Sequence, residues 1–221
     1  MKVIKDLKNL YINRFPKNEH SERNRICRIL CNDLFQKDIP PKSTVLDLGS
    51  GYCEFINNIK AKSKYAIDLN SEVKKFADKN VQVFICDSTK MPRFLTGKLD
   101  VVFASNFFEH LSSKNDVIKT LSEIKRVLKK QGSIIILHPN IRYIGSSYWD
   151  FLDHQLPLTE KSLIEGLELS GFKIVKVVKK LLPYTTKSRF PKWDWLIKIY
   201  LFLKPLQYLL GKQSLIIAKK Q

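Results

Sequence analysis

Apolar residues recur first with the period of a helix and then in short dense runs, and that change of period divides the chain into parts. Asp6–Arg14 and Glu19–Gln36 read as N-terminal helices, the second carrying Ile26, Ile29, Leu30 and Leu34 at helical spacing. Ile39-Pro40-Pro41 stops it, because proline cannot continue a helix and biases the residue before it towards extended backbone. A β-branched run from Val45 opens a different regime. Further strands follow near Lys64–Asp68, Val81–Ile85, Leu99–Ala104 and Ser133–Leu137, alternating with helices near Tyr52–Lys60, Ser71–Asp78 and Lys114–Lys129, the last ending at Gln131-Gly132. Such alternation predicts an α/β fold of Rossmann-like type, a mostly parallel sheet with helices on both faces and an N-terminal helical extension.

Past Asn140 the pattern loosens. Ile141–Leu156 reads as an aromatic and polar loop. Thr159 is the expected N-cap of a helix that ends at Ser170-Gly171, and Phe172–Val178 and Ser214–Ala218 supply the sixth and seventh strands. Between them residues 193–210 form an aromatic and basic segment read as one inserted helix. Asp194, Lys198, Lys204 and Pro205 interrupt it, so it falls short of the roughly 20 unbroken apolar residues that a bilayer span requires. The whole, 1–221, is read as one domain: a helical cap over 1–40, a core over 44–140, and an acceptor-side half over 141–221.

Charge changes this picture in one region. The net charge is +18, and Lys173–Gln221 alone holds twelve Lys or Arg against one acid, Asp194. A tail of that kind suits an anionic partner, with 173–212 a candidate for peripheral contact with an anionic membrane and nucleic acid a weaker alternative. The first twenty residues are studded with charge and hold no leader-like apolar run, and Cys27, Cys31, Cys53 and Cys86 form no C-x-x-C pair. Both features suit a cytoplasmic protein with reduced thiols, peripheral at the membrane if the tail docks there.

The chemistry concentrates in Val45–Phe55, VLDLGSGYCEF: an apolar strand, the acid Asp47, and a tight Gly49-Ser50-Gly51 turn into a helix. Glycines let the backbone approach a ligand closely, and a helix start offers unpaired N–H groups. The dinucleotide pattern G-x-G-x-x-G fails at Glu54. Asp68, seventeen residues after Gly51, ends the second strand, where a carboxylate can accept both hydroxyl hydrogens of a ribose. Asp87-Ser88 ends the third strand, and Ser105-Asn106-Phe107-Phe108-Glu109-His110 follows the fourth.

In order and spacing these segments resemble the class I S-adenosylmethionine-dependent methyltransferases, of the bacterial type-11/12-like kind, over about Thr44–Asn140. The resemblance implies S-adenosylmethionine as cofactor, S-adenosylhomocysteine as product, and a seventh strand inserted antiparallel. It also implies cofactor contacts from Asp47, Gly49, Ser50, Gly51, Asp68, Leu69, Asp87, Ser88, Ser105 and Asn106. Many members carry a third glycine at position 53, where this chain has Cys53, small enough for the turn.

A hydroxyl nucleophile benefits from a base tuned near neutral pH, most often histidine. His110, His138 and His154 are the candidates, and the sequence does not choose among them. Tyr143, Tyr148 and Trp149 suit stacking on an acceptor ring. Some relatives hold a divalent metal with E-x-x-E-H; here Asn106 replaces the first carboxylate, and no metal is expected. The reading is O-methylation of a small-molecule, sugar or lipid-linked acceptor. An RNA methyltransferase and a non-catalytic cofactor-binding scaffold or membrane-associated adaptor are the alternatives. Oligomeric state is open, and Tyr11, Arg14 and Phe15 are expected to close over the cofactor.

Overall fold

The computed structural model describes residues 17–184 and 192–221. The helix expected over Asp6–Arg14, with Tyr11, Arg14 and Phe15, lies outside the described residues. The described elements are α1 (Lys17–Asp33), β1 (Thr44–Leu48), α2 (Glu54–Asn58), β2 (Ser63–Asp68), β3 (Val81–Ile85), β4 (Leu99–Ser105), α3 (Lys114–Val127), β5 (Leu128–Pro139), α4 (Ile141–Ile144), α5 (Glu160–Leu169), β6 (Phe172–Leu182), α6 (Asp194–Phe202), α7 (Lys204–Leu210) and β7 (Gln213–Lys220).

Seven strands form one sheet in the order β3-β2-β1-β4-β5-β7-β6. The first five pair in parallel, and β7 pairs antiparallel with both β5 and β6. Strand β6 therefore runs with β1–β5, and its carboxyl end lies on the same edge of the sheet as theirs. Ligands of open α/β sheets bind along that edge.

Both faces of the sheet are covered, which explains why its central strands read as unbroken apolar runs rather than alternating ones. Ile134 and Ile136 point to one core with Leu121 and Ile124 of α3 and Leu163 and Leu167 of α5. Ile135 and Leu137 point to the other, with Phe35, Phe55 and Phe103. The Phe55 and Phe103 rings stack there with centroids 3.6 Å apart.

Several boundaries differ from the sequence reading. The helix after the glycine turn starts only at Glu54, since Cys53 adopts a left-handed φ of 60°. The helix expected over 71–78 is a short 3-10 turn, Ser71–Lys75, capped by the Asn70 side chain. Helix α3 stops at Val127, because Leu128 is extended, fully buried and paired with Leu99; β5 begins there and carries Gln131-Gly132 inside it. The loop after Asn140 contains α4 and a 3-10 turn, Gly145–Asp150. The single helix expected over 193–210 is two, broken at Leu203, whose ψ of 95° leaves the helical region just before Lys204-Pro205. Gln207 Nε2 donates to the carbonyl of Leu201 at 2.8 Å and so ties α7 back to the open end of α6.

Candidate active site

The turn after β1 folds across the tip of β2. Gly49 and Ser50 donate their N–H groups to Ile67 O at 2.8 and 3.3 Å. Gly49 has φ 71°, and a Cβ placed on it would lie 2.5 Å from the Phe107 ring. Gly51 and Cys53 are left-handed as well. Position 53 thus has a backbone conformation that favours glycine, and Cys53 holds it with its side chain buried. Burial pushes the Cys53 thiol up to about 12, so it stays protonated and unreactive.

Asp68 fixes this turn. Its two carboxylate oxygens accept the Gly51 and Asn70 N–H groups, each at 2.8 Å. A carboxylate offers about four acceptor sites, so two remain for a ligand. Burial raises the Asp68 pKa, while the N–H donors of Asn70, Gly51 and Leu69 and the charge of His110 oppose the rise. Asp47, deeper in the same place, is held well above the usual carboxylate range by burial first and by Asp68 and Glu54 after it. A buried acceptor beside a left-handed glycine turn fits the ribose of a nucleoside. Helix α2 has only five residues, so the helix-start contribution expected from the sequence is small.

The remaining expected cofactor positions divide. Leu69 is exposed at the tip of β2. The Asp87 carboxylate is turned onto Thr89, accepting from its N–H at 2.7 Å and its hydroxyl at 2.8 Å. Ser88 is buried, and its hydroxyl pairs with Thr120 of α3 at 2.8 Å, which leaves its backbone rather than its side chain for a ligand. Ser105 and Asn106 close β4, with Asn106 left-handed at φ 49° and its N–H on Leu137 O.

The three histidines occupy different environments. His138, at the end of β5, is 1% exposed. Burial lowers its pKa to about 4, and its Nδ1–H donates to Pro139 O at 3.1 Å. So buried and so weakly basic, His138 is less suited to the base role considered for it than a partly exposed histidine is. His154 is buried too, its ring 4.6 Å from that of Tyr148 and 5.1 Å from that of His110. His110 is the accessible one, with its side chain 31% exposed. Its Nδ1 lies 3.1 Å from Asp153 O and 3.3 Å from the Asp153 carboxylate. That pairing directs Nδ1–H to Asp153 and leaves Nε2 as the basic nitrogen, 3.8 Å from Glu109 Oε1.

Two further contacts hold this corner together. Gln155 and Leu156 donate their N–H groups to Glu109 O, strapping the loop beyond β5 across the turn after β4. The strap brings donor atoms of Glu109, His110 and His154 within 4.8 Å of one another, a grouping that could hold a cation. The sequence paired Glu109 with His110 but could not supply His154.

On the acceptor side, Asn140 is fully buried, donating to Glu160 Oε2 at 2.6 Å and to Ser214 Oγ at 2.8 Å. It ties β5 to α5 and β7. Tyr148 is also fully buried, its hydroxyl donating to Leu156 O. The ring stacking expected of Tyr148 is corrected accordingly: it is a core residue that shapes the loop from beneath. Trp149, 53% exposed, and the half-buried Tyr143 remain open to an acceptor. Lys180 stands over the Tyr143 ring at 4.9 Å and over the Tyr208 ring at 4.6 Å. Asp153 as the partner of His110 was missed in the sequence, where its neighbour His154 drew the attention.

Comparison with known proteins bears on this geometry. A family model described as a methyltransferase domain matches residues 46–136. An uncharacterized protein of Methanocaldococcus jannaschii is 31% identical over 134 residues, 59% of this chain and 55% of that protein, so the chain spans little more than half of its length. The chain is similar in fold to a SAM-dependent methyltransferase structure from Archaeoglobus fulgidus, with TM-score 0.65, 23% identity and coverage of 97% and 100% of the two chains. A SAM-dependent methyltransferase from Thermotoga maritima superposes with TM-score 0.68 at 18% identity, over 96% and 98%.

Proposed function

We propose that this chain is a class I S-adenosylmethionine-dependent methyltransferase, a reading supported by the methyltransferase-domain match over residues 46–136 and by the shared fold, and that it methylates a hydroxyl of a small-molecule, sugar or lipid-linked acceptor. S-adenosylmethionine supplies an activated methyl group that leaves with its electrons staying on sulfur. The protein's own work is to hold the two reactants in line, exclude water and receive a proton.

The observation that carries the proposal is Asp68. Its buried carboxylate is pinned by two backbone N–H groups and faces the edge where the turn, His110 and the loop beyond β5 converge. Ser50 and Gly51 line the same turn, while Leu69 and Asp87, at the ends of the next two strands, would hold the adenine of a bound cofactor. His110 is the proposed base: Nε2 takes the hydroxyl proton, and Asp153 orients the ring and stabilises the charge that forms. Asp153 acts through His110 and is a positioning residue. Tyr143 and Trp149 supply the face on which an acceptor ring would rest.

Calorimetric titration of S-adenosylhomocysteine, with NADH as control, tests the reading on wild type and Asp68→Asn. Two charge-assisted hydrogen bonds to the ribose are worth about 3 kcal/mol together, so the variant should bind on the order of 100-fold more weakly. Equal affinity in a folded variant would place the cofactor elsewhere.

A further inference from the structure

Helices α6 and α7 fill the connection from β6 to β7 with an outward face that the fold itself does not use. Trp195, Ile199 and Phe202 recur at i, i+4 and i+7 along α6, the spacing of one helical stripe, and all are exposed. Tyr208 and Leu209 continue the apolar surface on α7, and Phe202 reaches 85% exposure. The opposite side is the packed one: the Tyr200 hydroxyl donates to Leu181 O at 2.7 Å, and Tyr200 and Leu201 lie against the core. A run of large apolar side chains this dense is unusual on a solvated surface.

Charge decides what such a face fits. The only acid of the basic segment, Asp194, is held by Arg25 of α1, and Lys192 is paired with Glu22. Lys198 and Lys204, which flank the stripe, have no carboxylate partner among the described residues. The surface therefore offers aromatic and aliphatic groups bordered by unpaired cations. No helix among the described residues is long and apolar enough to cross a membrane, so the match is to an in-plane contact rather than a span.

Position gives the contact a purpose. The hairpin leaves β6 and enters β7 at the carboxyl edge of the sheet, where Asn140 accepts its place from the hairpin's end by donating its N–H to Lys212 O at 3.1 Å. Lys180 bridges the acceptor-side Tyr143 and the hairpin's Tyr208. We infer that α6 and α7 form a docking face for an anionic phospholipid bilayer, set beside the acceptor loop so that the acceptor is an amphiphile drawn from that bilayer. The choice of acceptor rests on the methyltransferase reading; the docking itself does not.

Flotation of the full chain with vesicles tests it, using phosphatidylcholine alone against phosphatidylcholine mixed with phosphatidylglycerol. The protein should partition onto the mixed vesicles with a blue shift of tryptophan fluorescence, and the binding should weaken as salt rises. Phe202→Ser combined with Leu209→Ser removes two exposed apolar groups and should lower partitioning by on the order of 100-fold. Lys198→Gln combined with Lys204→Gln should lower it about 10-fold or more, and only for the anionic vesicles. Circular dichroism and S-adenosylhomocysteine binding, measured on the same samples, establish that each variant is folded. The inference is overturned if folded wild type ignores both vesicles, or if the serine variant binds as well as wild type. It is equally overturned if sedimentation shows that a second copy covers the stripe, or if the lysines bind RNA while the apolar changes are silent. Cofactor binding without vesicle binding would sink the docking face and leave the enzyme reading intact; the reverse result would do the opposite.

Discussion

His110 and His138 are the same residue type at the ends of adjacent strands, and their surroundings give them opposite chemistry. His110 is partly exposed and directed by Asp153, so His110→Gln should lower kcat by roughly 100-fold or more while S-adenosylhomocysteine affinity stays near wild type. Under this assignment, dialysis against EDTA leaves turnover unchanged. A rate that collapses in EDTA and returns with a divalent ion would instead give Glu109, His110 and His154 to a cation. His138 reports on stability. Its folded pKa, about 4, lies below the unfolded value near 6.5, so the unfolded chain binds the proton more readily. The contribution is present above about pH 6.5 and is lost progressively as pH falls towards 4, amounting to about 3 kcal/mol. Urea titrations across that window should show the decline, and His138→Gln should flatten it.

Elements follow local signals where these are strong and depart where packing overrides them. Helix α5 is the clear case of agreement: Thr159 caps it, with its hydroxyl accepting from Ser162 N–H and Ser162 Oγ accepting from Thr159 N–H. Thr159→Ala should cost about 1 kcal/mol in urea unfolding, with no change in cofactor affinity. Helix α3 shows the opposite. Its sequence is helical in character through Lys129, yet Leu128 is buried in the core and paired in the sheet, and the helix yields at Val127. The break between α6 and α7 is marked in the sequence by Pro205, which lacks the N–H that a continuing helix would need.

At the scale of the molecule, the sheet and the turn after β1 were legible because their signals are local. Apolar runs, the Gly49-Ser50-Gly51 turn and an acid closing β2 each lie within a few residues. The acceptor side was not legible, since its decisive pairs join distant segments: His110 with Asp153, Glu109 with the strap at Gln155, and Lys180 with both Tyr143 and Tyr208. Burial also sorted residues that composition treats alike, sending Tyr148 inward and leaving Trp149 outside.

The sheet order carries a consequence for biosynthesis. Strand β7 lies between β5 and β6, so β5 pairs on one side only and β6 has no partner strand until Gln213–Lys220 has emerged from the ribosome. The part built from β1 to β5 can assemble while translation continues. Meanwhile β6 and the apolar hairpin wait as a nascent segment with open backbone and exposed aromatics, the stretch on which a holdase chaperone or a nearby membrane would first act.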